Sequence, residues 1–232
     1  MSLEDQMYIR KSCRNYLDDE IDIEVIYEFI KNVKPLNEDI DYDYEVLTPD
    51  KLNIHTRWQA PYYLALFSEK KDNYLENIGF IFQQLALFLQ SEGIGNCWGG
   101  GGMASLKEKN PNFVIAVSFG KSDKMTRELS NFKRKKLSEI SDVSDERLIP
   151  AQLAPSAINS QPWYFKHTNE GFDVYQAKQN LLKRRVLKKW NPIGIGIALA
   201  HMYMANSDSF EFFKKSDFEE IKGYTYSGSI KI

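Results

Sequence analysis

Residues 154–163 read Ala-Pro-Ser-Ala-Ile-Asn-Ser-Gln-Pro-Trp, and the chain runs from there straight into Tyr164-Phe165-Lys166-His167. Proline fixes a backbone dihedral, and serine and asparagine hydrogen-bond their own main chain, so the ten residues are turn chemistry. The four that follow read as a strand. A loop carried on a rigid element is where binding residues concentrate, although by composition alone these residues also fit an ordinary surface loop.

The 232-residue chain can bury a substantial core, as one large domain or as two fused halves of about 1–125 and 126–232, with no disordered linker between them. Its 43% hydrophobic, 27% charged and 13% aromatic residues exclude a disordered or fibrous chain. A net charge of −2 gives no overall case for nucleic acid. The N-terminus, MSLEDQMY, is acidic where an export leader is basic, so a cytoplasmic location is expected. The apolar runs 78–89 and 192–205 are too short and too interrupted for a membrane span. Cys13 and Cys97 then read as free thiols, and His55, His167 and His201 show no ligand spacing, so no metal site is expected.

Arg10, Ser12 and Arg14 alternate at period two in Arg10-Lys11-Ser12-Cys13-Arg14-Asn15-Tyr16. In an extended segment they share one side over roughly 13 Å, at about 3.3 Å per residue. Two guanidinium groups flanking a hydroxyl suit a phosphate and the polar edge of a ring. A helix is expected from Asp22, ended by Pro35, with strands at 44–47 and 62–67. The acidic stretches 18–24 and 38–45 fit a solvated face. Residues 76–91 are apolar on nearly every side, the pattern of a buried central helix. Gly93 to Gly102, GIGNCWGGGG, follows as a glycine-rich turn where backbone amides can approach a ligand. It lacks the Gly-Lys-Ser/Thr ending of a phosphate loop, and it follows a helix, unlike a dinucleotide fingerprint. Residues 112–120 read as a buried strand, and the run Lys133-Arg134-Lys135-Lys136 follows. Helices at 80–89 and 193–204 occupy matching places in the two halves, a coarse internal repeat.

The 154–163 loop resembles the PSxxNxQPW segment of the nitroreductase family, and Arg10 to Arg14 with Tyr16 resembles that family's R-x-S-x-R opening. The resemblance implies an α+β, nitroreductase-like fold of mixed or antiparallel central sheets flanked by helices. It also implies an FMN cofactor, NADH or NADPH as co-substrate, and a small acceptor such as a nitroaromatic or quinone. The family's loop usually comes early in the chain, with two subunits building each pocket, whereas here it lies about 140 residues after Arg14. That order is similar to a divergent Thermotoga-type branch in which one chain imitates the dimer. It implies one flavin site per chain, with a monomer or a homodimer both open.

By the same resemblance, Arg10, Lys11, Ser12 and Arg134 would hold the phosphate and ribityl chain, and Arg14 the pyrimidine edge. Trp98, Gly99, Gly100 and Gly101 would lie near the ring, and Pro155, Ser156, Ala157 and Asn159 would line the ring and ribityl side. Gln161 and Trp163 would set the loop's shape. Lys136 stands where the family usually has proline. No side chain reads as a general acid or base, so the cofactor would carry the chemistry. Two other classes stay open: an FMN carrier or sensor without turnover, and a non-flavin phospholigand-binding protein.

Overall fold

The computed structural model describes residues 2–99, 103–179 and 187–232. Ser2 opens the first helix, Leu3–Ile9 (α1), with a capping box: its Oγ accepts the Asp5 N–H, and the Asp5 carboxylate accepts the Ser2 N–H. Glu24–Ile30 (α2) is shorter than the pattern out to Pro35 promised. Past Ile30 the Asn32 and Val33 N–H groups turn to the carbonyls three residues back, at 3.1 and 3.2 Å, and Asn77 Oδ1 accepts the Leu36 and Asn37 N–H groups at 2.9 and 3.0 Å.

Strands Tyr42–Leu47 (β1), Leu52–Ile54 (β2) and Tyr62–Ser68 (β3) precede the long helix Tyr74–Ser91 (α3). Thirteen of its 18 residues are buried, which makes it a central element. Gly93, at φ 72°, ends it. The next residues do not form the expected turn, because Ile94–Trp98 (β4) is a strand paired antiparallel to Phe113–Lys121 (β6). Ala104–Leu106 (β5) lies between them and pairs with β2 as a separate two-stranded ribbon. The main sheet of this half has the order β1-β3-β6-β4.

The second half opens with the short helices Leu137–Ile140 (α4) and Ile149–Leu153 (α5). Strands Trp163–His167 (β7) and Gly171–Ala177 (β8), helix Trp190–Ala205 (α6), and strands Glu211–Phe213 (β9) and Tyr224–Lys231 (β10) follow. Their sheet has the order β7-β8-β10-β9. Each sheet thus pairs its first two strands, passes through a buried helix, and adds the last two in reversed order. All pairings within both sheets are antiparallel, giving the α+β architecture expected from the sequence.

The two buried helices pack on each other more extensively than any other helix pair. A Cβ on Gly79 would collide with the Ile193 carbonyl and lie 3.1 Å from the Ile197 nitrogen, and one on Gly196 would collide with the Glu76 carbonyl and lie 2.9 Å from the Phe80 nitrogen. Each glycine therefore meets the residue three before and the residue one after the other, the reciprocity of a contact across a two-fold axis. One hydrophobic cluster runs from Leu64, Leu66 and Phe119 through both helices to Phe165, Phe172 and Val174. Among the described residues, no helix is long and apolar enough to cross a membrane.

Candidate active site

The Arg10 segment is held extended from both sides. Arg10 pairs with Thr126 in an isolated bridge, Lys11 N–H donates to the Met125 carbonyl, Arg127 N–H to Ile9, and Cys13 N–H to Asn96, all at 2.8–2.9 Å. The Arg10 side chain is 4% exposed. Its Nη2 donates to Ser12 Oγ at 3.2 Å, while its Nη1 is buried with no partner among the described residues. Arg127 donates from Nε to the Arg10 carbonyl at 3.1 Å and lies 4.7 Å over the Phe132 ring. Arg134 lies 5.5 Å from the same ring and donates to the Leu153 carbonyl and to Asn159 Oδ1, the latter at 2.8 Å.

Three guanidinium groups thus converge, and among the described residues none forms an ion pair with a carboxylate. Burial, then the charges of Arg134 and Arg127, pushes Arg10 down to about 9, and burial with Arg127 pushes Arg134 down to about 10. Both stay cationic at neutral pH. An orphaned buried donor among unpaired cations fits an anion with several acceptor oxygens. The groove they line, about 1220 Å³, also takes Lys11, Lys133 and Asn159.

Ser12, Arg14, Pro155, Ser156 and Ile158 line both this groove and a second cavity of about 230 Å³, so the two are continuous. The cavity is walled by Trp98 and Gly99 at the end of β4, by Ala157 of the loop, and by Ile193, Gly194 and Ile197 of α6. The β2/β5 ribbon brings Trp58 and Met103 to it, tied by the His55 N–H to Met103 carbonyl bond at 2.8 Å. Arg14 sits 5.3 Å over the Trp58 ring. Gly99 has no room for a side chain, since a Cβ would strike the Ala116 carbonyl. Cys97 lines the cavity, but burial raises its thiol pKa and keeps it protonated and inert. Cys13 is likewise a buried free thiol.

The 154–163 loop is clamped onto the basic run. Gln161 Oε1 accepts the Lys135 N–H at 2.7 Å, Lys135 Nζ donates to the Gln161 carbonyl at 2.9 Å, and Asn159 Nδ2 donates to the Lys133 carbonyl at 2.8 Å. Ile158, Asn159 and Gln161 all hold positive φ, at 48°, 56° and 43°. Trp163 is 1% exposed and begins β7. Lys136 adopts φ −68°, a value open to proline, but its N–H donates to Glu139 Oε2 at 2.8 Å, a bond that a proline in its place could not make.

The structure brings Arg10, Lys11, Ser12, Arg14, Arg134, Pro155, Ser156 and Asn159 to the groove, and Ser12, Arg14, Trp98, Gly99, Pro155, Ser156 and Ala157 to the cavity. Asn159 faces the basic end only, away from the expected ring side. Gly100 and Gly101 lie outside the described residues. Sequence reading missed Arg127, Trp58, Met103, Trp190 and the α6 wall. Gly194, with the loop's Pro162 3.3 Å from where its Cβ would be, is a signal that α6 faces the loop, but a signal only once the two are adjacent. Among the described residues, no group of three or more His, Cys, Asp or Glu side chains could hold a metal.

An arginine-lined groove thus leads into a tryptophan-walled cavity beside the glycine-seamed helix pair. Residues 2–206 match the family described as "Putative TM nitroreductase", and the chain belongs to that family of oxidoreductases. It is similar to the crystal structure of a "putative nitroreductase" from Thermotoga maritima, with a TM-score of 0.65 at 22% identity over 94% of this chain and 91% of that one. Fainter likeness extends to an FMN-dependent nitroreductase from Clostridium difficile, at 16% identity and TM-score 0.43 over 55% of this chain and 93% of that one. An FMN and NADPH-dependent nitroreductase from Sphigopyxis sp. matches at 13% identity and TM-score 0.44, over 62% of this chain and all 100% of that one. No curated protein matches the chain.

Proposed function

We propose that the chain is an FMN-dependent oxidoreductase that takes electrons from NADH or NADPH and delivers them to a small acceptor such as a nitroaromatic or a quinone. The observation that carries this reading is the continuity of a groove lined by four arginines, none ion-paired among the described residues, with an apolar, tryptophan-walled cavity. A flavin mononucleotide has that shape and polarity, a phosphate at one end and a planar ring at the other. When bound, the flavin supplies the two-electron redox chemistry.

The chain's own residues bind, orient and polarise. Arg10 Nη1, lacking any partner, would donate to the phosphate, with Arg134 and Arg127 on its flanks and Lys11 at the rim. Ser12 and Ser156 would meet the ribityl hydroxyls. Arg14, common to groove and cavity, would face the ring's polar edge and favour the electron-rich form by its charge. Trp98, Gly99 and the α6 wall would hold the ring and keep water from it.

The walls come from both halves, since Arg10 to Trp98 precede the second sheet while Arg134, Ile158 and Ile193 belong with it. The repeated strand order and the reciprocal glycine contact support reading the halves as copies, so that one chain suffices for one site. The test is the absorbance spectrum of the purified protein under anaerobic conditions, with FMN added if needed. Flavin bands that bleach on adding NADH or NADPH are expected. Bands that persist indicate a carrier or sensor, and failure to take up FMN overturns the reading.

A further inference from the structure

One buried polar thread crosses the apolar interface between the two central helices. Trp98, in the cavity wall, donates its indole N–H to Gln83 Oε1 at 2.9 Å. Gln83 Nε2 lies 3.0 Å from His201 Nε2, and His201 Nδ1 lies 2.9 Å from the Pro150 carbonyl. Gln83 on α3 and His201 on α6 are both 0% exposed, and neither lines the cavity. Pro150 belongs to α5, five residues before Pro155 of the opposite wall.

The direction of every bond follows from its ends. A carbonyl only accepts, so His201 carries its proton on Nδ1. Burial, reinforced by the charge of Arg10, pushes the histidine down to about 3 and keeps it neutral, so Nε2 accepts. Gln83 must then turn its amide NH₂ toward His201 and its carbonyl toward the indole. Reversed, it would set two acceptors against each other and two donors against each other. The thread has one low-energy arrangement, and it ties one cavity wall to the helix that launches the other.

We propose that Gln83 and His201 are positioning residues: through this one-way chain they fix the plane of Trp98 against the Pro155 wall, and so set the slot that accepts a planar ring. The inference deepens the flavin reading of the cavity and rests on it for the identity of the ring. Its structural part, that Gln83 orients Trp98, holds in the ligand-free protein as well.

The experiment compares wild type with Gln83→Met, Trp98→Phe, the double variant and Gln83→Glu. Circular dichroism checks the fold, the part of the apoprotein's indole emission that Trp98→Phe removes reports Trp98 among the four tryptophans, and FMN titration gives the dissociation constant. Gln83→Met should shift the indole emission, and the shift should vanish in the Trp98→Phe background. Each single variant should weaken FMN binding about 5- to 10-fold and the double variant no further, because coupled positions are not additive.

Gln83→Glu is the variant a merely space-filling role would not distinguish. A carboxylate cannot donate to His201 Nε2, but the Glu–His pair with one added proton restores the bonding pattern. Its apoprotein emission should therefore match wild type at low pH and depart from it at high pH, where the carboxylate keeps the indole bond but loses the bond to His201, while wild type stays flat. The charges bearing on the histidine are Arg10 and Arg134, so the series stays well below the value of about 9 at which Arg10 loses its charge. A folded Gln83→Met with unchanged emission, equal losses of FMN affinity with and without Trp98, or a pH-flat Gln83→Glu would overturn the proposal. A wild type that binds no FMN overturns the flavin reading instead, and the emission arms still decide the Gln83–Trp98 link.

Discussion

Ile158 is 76% exposed and holds φ 48°, ψ 25°, a left-handed conformation that costs a β-branched residue roughly 1–3 kcal/mol. Nothing in the apoprotein's core repays that cost, because the side chain projects where groove and cavity meet. Asparagine tolerates this conformation. Ile158→Asn should therefore raise the apoprotein's melting temperature by about 2–4 °C, the shift for roughly 1 kcal/mol in a chain of this size. It should also weaken FMN binding about fivefold, the loss of an apolar cover over the ligand. A melting temperature that falls would remove strain from the account. At this scale the sequence was half legible. The period-two row Arg10, Ser12, Arg14 announces itself in an extended segment, and it is found so pinned. Arg127 announces nothing, a lone cation between threonine and glutamate. It joins the site only because backbone pairing brings residues 125–127 beside residues 9–11.

The same limit governs elements. The buried helices were legible as all-round apolar stretches, but β4 was not, because Gly95 and Asn96 are poor strand formers and four glycines follow Trp98. Its strand conformation is imposed by pairing with β6. Gly95 is bare for a packing reason, since a Cβ there would lie 2.7 Å from the Cys13 sulfur, in the very segment that carries Arg10 and Arg14. Gly79 and Gly196 are bare for another: each lets one helix backbone touch the other's. Gly79→Ala or Gly196→Ala must push the helices apart, and overpacking of this kind costs about 1–3 kcal/mol or more. Because the contact is reciprocal, the two substitutions act on one seam, so the double variant should lose less than the sum of the single losses. Urea denaturation of the three variants measures this, and strictly additive losses would show that the glycines do not share one contact.

Over the whole molecule the formal charge is only −2, yet the guanidinium groups of Arg10, Arg127 and Arg134 are gathered in one groove with no carboxylate partner among the described residues. Desolvation, and second to it the repulsion of neighbouring arginines, opposes folding and lowers the pKa of Arg10, Arg127 and Arg134, with Arg14 the charge that acts on Arg127. An anion that binds there stabilises the native state alone, by about 2.7 kcal/mol at a hundredfold excess over its dissociation constant. Inorganic phosphate should therefore raise the apoprotein's melting temperature by about 5–10 °C at saturation, at about 2–4 °C per kcal/mol. Sodium chloride at equal ionic strength should do much less, because it screens the cations without accepting their hydrogen bonds. Arg127→Met separates this account from general salt effects. Removing one of three like charges should raise the apoprotein's stability without phosphate and shrink the increment that phosphate supplies, so the two melting curves converge. If instead Arg127→Met lowers stability and leaves the phosphate increment intact, the cluster is a structural support stacked on Phe132 and the anion binds without it. The first outcome would make the groove a site whose charge is held in tension until a phosphate arrives, which ties the order of the Arg10 segment to occupancy of the adjoining cavity.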